Sequence, residues 1–502
     1  MSFSLEEILP NSVASQLPLQ IRTSQVTGIC SDSRQVNPGE LFFSVAQNPD
    51  LDRSFISMAF ARGAKFCVVE GNAAFAQQEL NLIQVKNVRA ILGQTAHRFN
   101  AEPSQGMFAV GVTGTNGKTS VAWILAHALK VLNSGPALYL GTLGYANFTA
   151  QSSAFKLQEI ANTTPDAIST QRILRENFER GAKSLVMEVS SHGLDQYRAH
   201  AIQWDGCVFT NLTRDHLDYH QTMEAYGAAK AKLFLEELLE SSKAKKFAAL
   251  NIADSFGQTL ASRISKNIKL VSYALDGQAD VTLETAEERT DGTEIHAKFA
   301  DSSFTIKSML LGHYNVENML AAVALLLAAG YEITQIVRAL ALVPCVPGRL
   351  ELISSQAEPK IFVDYAHTPD ALERAQDALR RLKPKRLVTV FGCGGNRDRG
   401  KRPLMTQAVL RYADYFFITS DNPRDEDPEQ IIADCLAGLG EDASGRFETE
   451  VCRELAIKKA VEFCTPGDVL LIAGKGHETY QEIRGKKHHF SDQEICRKLL
   501  QL

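Results

Sequence analysis

Long hydrophobic runs are missing from this chain. The longest, Met319 to Gly330, has about 12 residues, too few to cross a bilayer, and predicts a buried helix instead. Positive charge is not in excess: 53 Lys and Arg stand against 58 Asp and Glu, a net charge of −5. No basic surface is therefore expected to attract nucleic acid, and an anionic ligand must be met by local clusters. The nine cysteines are scattered and form no Cys-x-x-Cys pair. That argues against a disulfide framework or a zinc site and fits reduced thiols. The opening residues, MSFSLEEILP, are acidic and lack the basic-then-apolar layout of a signal peptide. A cytoplasmic location is expected. There is neither an internal repeat nor a low-complexity linker.

What is present begins with residues 112–120, Val-Thr-Gly-Thr-Asn-Gly-Lys-Thr-Ser. An apolar run, Met107 to Val112, precedes them and a helical pattern, Val121 to Leu132, follows. A strand, a glycine-rich loop and a helix start in this order form a phosphate cradle. Loop N–H groups face the anion, the helix N-terminus adds positive potential, and Lys118 brings a mobile charge. Thr119 is placed for a magnesium ion. The pattern departs from the usual P-loop at one point: Val112 stands where a glycine is expected, and Gly111 comes one place early.

At 502 residues the chain is too long for one core. The expected architecture is α/β in three domains. Residues 1–100 form a small α/β domain, with strands at Leu41–Val45, Phe66–Val69 and Leu82–Val85 and a helix at Ser54–Arg62. Residues 101–342 form a P-loop-containing central domain with a mostly parallel sheet. Val343-Pro-Cys-Val-Pro-Gly348 breaks regular structure. Residues 343–502 alternate strands (Ile361–Val363, Leu387–Phe391, Tyr415–Thr419, Val469–Ala473) with helices (Pro369–Arg380, Leu404–Tyr412, Pro428–Leu436). That alternation predicts a Rossmann-like sheet with ligands at the strand C-terminal ends.

Further chemistry follows the central strands. Leu185-Val-Met-Glu188 is an apolar strand ending in a carboxylate, followed by Val-Ser190-Ser191-His192-Gly193. Asn211-Leu-Thr-Arg-Asp215-His216-Leu-Asp218-Tyr-His220 follows the strand Cys207–Thr210. Glu188 and His216 are candidate magnesium ligands. Taken alone, Glu188 also suits a solvated acid and His216 a structural histidine. In Tyr226–Phe234, Lys230 and Lys232 are two apart, so on a helix only one faces a given site. Lys230 has small neighbours, though by itself it reads as an ordinary surface lysine. His127, His488 and His489 read as structural or exposed; His192, His367 and His477 lie in motifs without an assigned role.

GTNGKTS, EVSSHGLDQYR, NLTRDHLDYH, the Ala-Ala-Lys helix, GHYNVEN at 312–318 and VPGRLE at 346–351 together resemble the Mur ligases. These are ATP-dependent enzymes that add amino acids to the bacterial cell-wall precursor, and so serve cell shape and division. The resemblance covers nearly the whole chain. Four features resemble the members that add the third residue: Ser31-Asp-Ser-Arg34, Asn162-Thr-Thr-Pro165, Gly392–Arg402, and Asp421-Asn-Pro-Arg424. The last pattern is associated with meso-diaminopimelate; lysine-adding relatives lack that arginine. Its extra carboxylate suits a bidentate guanidinium.

The resemblance implies roles residue by residue. Gly114, Thr115, Asn116, Gly117, Lys118, Thr119 and Ser120 would hold the ATP phosphates, and Asn315, Arg349 and Asp364 would contact the base, phosphate and ribose sides of the nucleotide. Thr119, Glu188, His216 and a carbamate on Lys230 would bind Mg2+. The carbamate requires a neutral amine, which burial near cations supplies. Ser31 and Ser33 would hold the uridine end of UDP-muramoyl dipeptide. Asn162, Thr163, Thr164, Ser190, Gln196 and Arg198 would hold its muramoyl-peptide arm. Arg397, Asp421, Asn422, Pro423, Arg424, Gly474 and Glu478 would form the amino-acid pocket. Residues 46–53, AQNPDLDR, depart from the relatives' glycine-rich loop, with 48–50 still expected near the substrate. The implied reaction converts a carboxylate to an acyl phosphate that an amine then attacks, in a cleft that the C-terminal domain closes. A monomer is expected. Lysine as the added residue, a folylpolyglutamate-synthase-like ligase, and a P-loop switch or kinase are the alternatives.

Overall fold

The computed structural model describes residues 2–46, 49–71, 81–149, 157–289, 291–353, 358–440 and 443–501. Asn48, in the atypical loop, lies outside them. The chain forms two compact units: Met1–Thr282 with Leu320–Ala339, and Leu283–Met319 with Leu340–Leu502.

The first unit opens with a four-stranded parallel sheet, Ile29–Cys30 (β1), Leu41–Phe43 (β2), Phe66–Glu70 (β3) and Leu82–Val85 (β4), paired in that order. The helix Val88–Phe99 (α1) follows, its N-terminus capped by the Asn87 side chain, which accepts from Ala90 N at 3.0 Å. Seven of the ten strands of the larger sheet are Phe108–Thr113 (β5), Ala137–Gly141 (β6), Gly144–Phe148 (β7), Ser184–Glu188 (β8), Gly206–Phe209 (β9), Lys246–Asn251 (β10) and Ile268–Ala274 (β11). Their order is β7-β6-β8-β5-β9-β10-β11, and all are parallel except β7. β5 is the middle one of these seven, where successive crossovers diverge. That is the switch point at which open parallel sheets bind ligands.

The helix after β5, Lys118–Leu132 (α2), is buried along Val121–Ala126. Its apolar run explains this, because a helix hydrophobic all round belongs inside. The expected helix at Met319–Gly330 is part of His313–Ala329, fully buried from Met319 to Leu326. Among the described residues, no helix is long and apolar enough to cross a membrane.

The second unit contains a six-stranded sheet. Glu351–Leu352 (β12), Lys360–Asp364 (β13), Leu387–Cys393 (β14), Tyr415–Ser420 (β15), Phe447–Glu450 (β16) and Val469–Ala473 (β17) pair in the order β12-β13-β17-β14-β15-β16. β13 to β17 are parallel and β12 is an antiparallel edge. The expected strands and helices of this region are all present, Val469–Ala473 and Pro428–Leu436 with the expected bounds and the others longer by one to three residues. The antiparallel pair Gly292–Phe299 with Ser302–Ser308 was not anticipated from the sequence. Neither was the hairpin Tyr480–Ile483 (β18) with Lys486–His489 (β19). The first buries alternate residues, Thr293, Ile295 and Ala297, whereas Lys486–His489 in the second is exposed throughout and has no apolar face to read.

Candidate active site

In the first unit the polar motifs collect at the C-terminal edge of the sheet. Register sets this: Glu188 on β8 pairs with Val112 on β5, and Phe209 on β9 with Thr113. The loop from Gly114 to Gly117 then turns into α2. Gly114 has φ +151°, and a Cβ there would overlap the Thr210 hydroxyl, so only glycine fits. Asn211 ties the loop down: its carbonyl accepts from Thr115 N at 2.8 Å, and its Oδ1 accepts from Asn116 N at 2.9 Å. Lys118 Nζ folds back on the carbonyls of Gly114 and Thr115, at 2.9 and 2.8 Å. The glycine that seemed one place early has its own explanation. A Cβ on Gly111 would sit 3.2 Å from the Leu233 side chain and 3.5 Å from the Trp204 ring, so this glycine serves core packing.

Asp254, just after β10, supports the same region. Its Oδ1 caps the helix Ser255–Arg263 through Phe256 N and Gly257 N at 2.9 and 3.2 Å, and its Oδ2 accepts from Leu212 N at 2.8 Å. Asp254→Ala removes the cap and strands Leu212 N. We expect a loss of about 1–2 kcal/mol, read as a lower urea midpoint at unchanged m-value.

Glu188 is not solvated. It is completely buried, and four groups donate to it: Tyr139 Oη at 2.6 Å, Thr142 N at 2.8 Å, Thr119 Oγ1 at 2.9 Å and Thr142 Oγ1 at 3.1 Å. The 2.9 Å between the Thr119 and Glu188 oxygens matches the cis edge, about 2.9 Å, of an octahedral Mg2+ shell with bonds of about 2.0–2.1 Å. This hard-oxygen pair therefore fits the ion. Among the described residues no group of three His, Cys, Asp or Glu side chains is arranged to hold a metal. An oxygen ligand from elsewhere, such as a carbamate or a phosphate, is needed to complete a site.

Lys230 is the lysine that faces inward. It is 1% exposed, donates to Gly114 O at 2.7 Å, and lies 4.4 Å from the centre of the Tyr226 ring. Burial holds its pKa well below the usual lysine range, and the nearby charge of Lys118 adds to this. Its amine is thus kept toward the neutral form that a carbamate requires. Lys232, two residues on, points the other way and pairs with Asp195 at 3.1 Å.

Tyr226 joins these pieces and was not picked out from the sequence. Its hydroxyl is 3.2 Å from Thr115 Oγ1, and its ring is 6.0 Å from that of His216. His216 has φ +52° and a side chain about half exposed, with its ring 4.9 Å from His192. No hydrogen bond links His216 to Glu188 among the described residues.

The residues assigned to the peptide arm are brought together. Thr164 Oγ1 donates to Glu188 O and accepts from Ser190 N, both at 3.0 Å, and Thr163 Oγ1 is 3.1 Å from Thr142 Oγ1. Arg198 donates to Thr164 O at 3.1 Å and to Gln196 Oε1 at 2.7 Å. Asn162 lines a neighbouring cavity of about 290 Å3. Ser33 is buried against Met58, and neither it nor Ser31 is hydrogen-bonded to this network among the described residues.

The second unit carries two clusters. In one, Asp364 at the end of β13 is buried and accepts from Leu350 N at 2.6 Å and Ala366 N at 2.7 Å. Burial raises its pKa and the Arg349 charge opposes the shift. Arg349 stacks on Tyr365 at 4.9 Å. Asn315 is buried and donates to Leu311 O at 2.7 Å.

The other cluster lies at the ends of β14, β15 and β17. Asn422 is its hub: its Nδ2 donates to Glu478 at 3.0 Å, and its Oδ1 accepts from Lys475 Nζ at 3.0 Å and Glu482 N at 2.9 Å. Arg424 Nη1 donates to Gly395 O at 2.8 Å. Gly474 has φ +118°, and a Cβ there would press to 2.7 Å on Asp421 Oδ2, a buried oxygen with no hydrogen-bond donor among the described residues. Among the described residues, Arg397 reaches only its neighbour's carbonyl, Asn396 O, at 3.3 Å. Lys475, completely buried and 3.3 Å from Glu478, was missed in the sequence. The signal was a lysine between two glycines directly after an apolar strand.

Two family models match the chain. Residues 112–326 match the family described as Mur ligase middle domain, and residues 348–476 the one described as Mur ligase, glutamate ligase domain. The UDP-N-acetylmuramoyl-L-alanyl-D-glutamate–2,6-diaminopimelate ligase of Ectopseudomonas mendocina is 41% identical over 496 residues, 98% of this chain and 97% of the relative. The protein of the same name from Aquifex aeolicus is 39% identical over 493 residues, again 98% and 97%. A solved structure of a ligase of this name has TM-score 0.73 at 35% identity, covering 100% of this chain and 99% of that one. A Mycobacterium tuberculosis folylpolyglutamate synthase complexed with ADP and AMPPCP shares the fold, with TM-score 0.62 at 16% identity over 82% and 95% of the two chains.

Proposed function

The chain belongs to the Mur ligase family, and from that premise we propose that it adds meso-diaminopimelate to UDP-N-acetylmuramoyl-L-alanyl-D-glutamate, using ATP, in peptidoglycan precursor synthesis. It is an ATP-dependent, amide-bond-forming ligase. The observation that carries the reading is identity of 39–41% over 98% of the chain to relatives of that one activity.

A free carboxylate is a poor acylating agent, so it must be activated. The γ-carboxylate of the D-glutamyl residue attacks the γ-phosphorus of ATP, releasing ADP and forming an acyl phosphate. The amine of diaminopimelate attacks the acyl carbon, loses a proton, and inorganic phosphate leaves. We assign the loop Gly114–Ser120 to the ATP phosphates. Lys118, now held by two carbonyls of its own loop, would turn to the phosphoryl oxygens and offset their charge. Thr119, Glu188, His216 and a carbamate on Lys230 are the groups we assign to Mg2+. When bound, the ion would supply further charge stabilisation. Ser31, Ser33, Asn162, Thr163, Thr164, Ser190, Gln196 and Arg198 are assigned to the UDP-muramoyl dipeptide. Asn315, Arg349 and Asp364 are assigned to the nucleotide. Arg397, Asp421, Asn422, Pro423, Arg424, Gly474 and Glu478 are assigned to the amino acid, with Arg424 on its distal carboxylate.

Phosphate release should require the muramoyl dipeptide and meso-diaminopimelate together. With ATP, magnesium and the dipeptide but no amino acid, added hydroxylamine should capture a hydroxamate. Release that needs no amine, or lysine consumed as efficiently as meso-diaminopimelate, would overturn the assignment.

A further inference from the structure

The hairpin β18–β19 is stitched to the Asp421–Arg424 loop. Gln481 Nε2 donates to Asp421 O at 2.7 Å, and Glu482 N donates to Asn422 Oδ1 at 2.9 Å. Arg424 N donates to Glu482 O at 3.0 Å, and Arg484 N donates to Arg424 O at 2.7 Å. These last two bonds make a parallel bridge between Arg424 and Ile483 and hold Arg424 in a left-handed conformation, φ +50°. A bulky non-glycine residue in that region is strained unless its surroundings impose it.

The side chain is held as firmly. Arg424 Nη1 donates to Gly395 O at 2.8 Å, and its Nε lies 3.2 Å from Glu482 Oε2. Arg424 is 21% exposed at the side chain and Glu482 27%. Among the described residues, Nη2 makes no hydrogen bond. Two partners thus restrain the guanidinium, and its Nη2 corner remains for a ligand.

We propose that Glu482 is a positioning and specificity-determining residue for the amino-acid substrate, acting through Arg424. This rests on the reading that Arg424 receives the distal carboxylate of meso-diaminopimelate. A free arginine side chain has many rotamers, and a ligand that must select one of them binds more weakly. Glu482 removes that search by holding Nε before the substrate arrives. A substrate with no distal carboxylate gains nothing from an oriented guanidinium, so the residue acts on selectivity as well as affinity.

Glu482→Gln tests this. The backbone bonds at residue 482 remain and only the ion pair is lost. A partly exposed pair is worth up to about 1 kcal/mol, so the KM for meso-diaminopimelate should rise roughly fivefold. The KM for ATP and kcat at saturation should stay within about twofold, and preference for meso-diaminopimelate over lysine should fall by the same factor as the affinity. The thermal midpoint should fall by no more than about 2–4 °C. In the double variant Arg424→Ala/Glu482→Gln, the second change should add nothing. An unchanged or lowered KM in Glu482→Gln, or additive losses in the double variant, would sink the role of Glu482. If Arg424→Ala alone leaves the KM untouched, the assignment of Arg424 itself fails, whatever Glu482→Gln does.

Discussion

Replacing Arg424 by alanine is expected to raise the KM for meso-diaminopimelate about 100-fold while the KM for ATP moves less than about twofold. Truncating one member of a charged, hydrogen-bonded contact costs about 2–5 kcal/mol, and 100-fold lies within that range. The guanidinium is held by Gly395 O and Glu482, and the cluster of Asn422, Glu478 and Lys475 is fixed by its own hydrogen bonds. Its loss should therefore leave the neighbouring groups in place. Arg424→Lys should recover little, because an ammonium cannot form the two-pronged contact or keep both present partners. Initial rates with each substrate varied in turn give the answer. A variant that uses meso-diaminopimelate like the parent would remove the specificity assignment.

Replacing Lys230 by methionine should lower kcat about 1000-fold and at the same time stabilise the fold. The rate falls because an electrostatic group beside the phosphate loop disappears. The gain in stability has a definite sign. Burial, with help from Lys118, depresses the folded-state pKa of Lys230, while the unfolded value stays near 10.4. Between the two, the unfolded chain binds a proton that the folded chain lacks. Stability then rises with pH by up to ~1.4 kcal/mol per unit, and Lys230 lowers stability throughout the acidic side of that window. Methionine fills a similar volume without a charge. Gly114 O keeps a donor, since Lys118 Nζ also reaches it at 2.9 Å. Thermal midpoints from pH 7 to pH 9.5, without magnesium and with CO2 removed, should be higher in the variant, with a shallower rise. A lower midpoint at every pH, or retained turnover, would contradict the role given to Lys230.

The same residues show how far the chain could be read. The phosphate loop was legible because strand, Gly-Thr-Asn-Gly-Lys and helix are contiguous in sequence. The strand-end positions of Glu188, Asp364 and Asp421 were legible for the same reason. Helical geometry also showed that Lys230 and Lys232 could not share a partner, but not which of them turned inward. The burial of Glu188 was not legible at all. Its donors come from Thr119, Tyr139 and Thr142, tens of residues away in sequence. Lys475, between two glycines after an apolar strand, carried a local signal that was not used, whereas Tyr226 was missed because nothing local distinguishes it from an ordinary surface residue. Glu482 was invisible for the same reason: its partner, Arg424, is on another strand end.

The sequence by itself determined the chemical inventory: an α/β chain, a phosphate loop, and the residue types that an amide ligase needs at strand ends. Those properties depend on neighbours a few positions apart, and short-range sterics and hydrophobic periodicity decide them. Only the tertiary structure decided which charges lose their water. Desolvation of Lys230 and Glu188, and the restraint on Arg424, depend on atoms that arrive from distant strands and helices. A side chain's reactivity follows from that surrounding shell and not from its place in the chain.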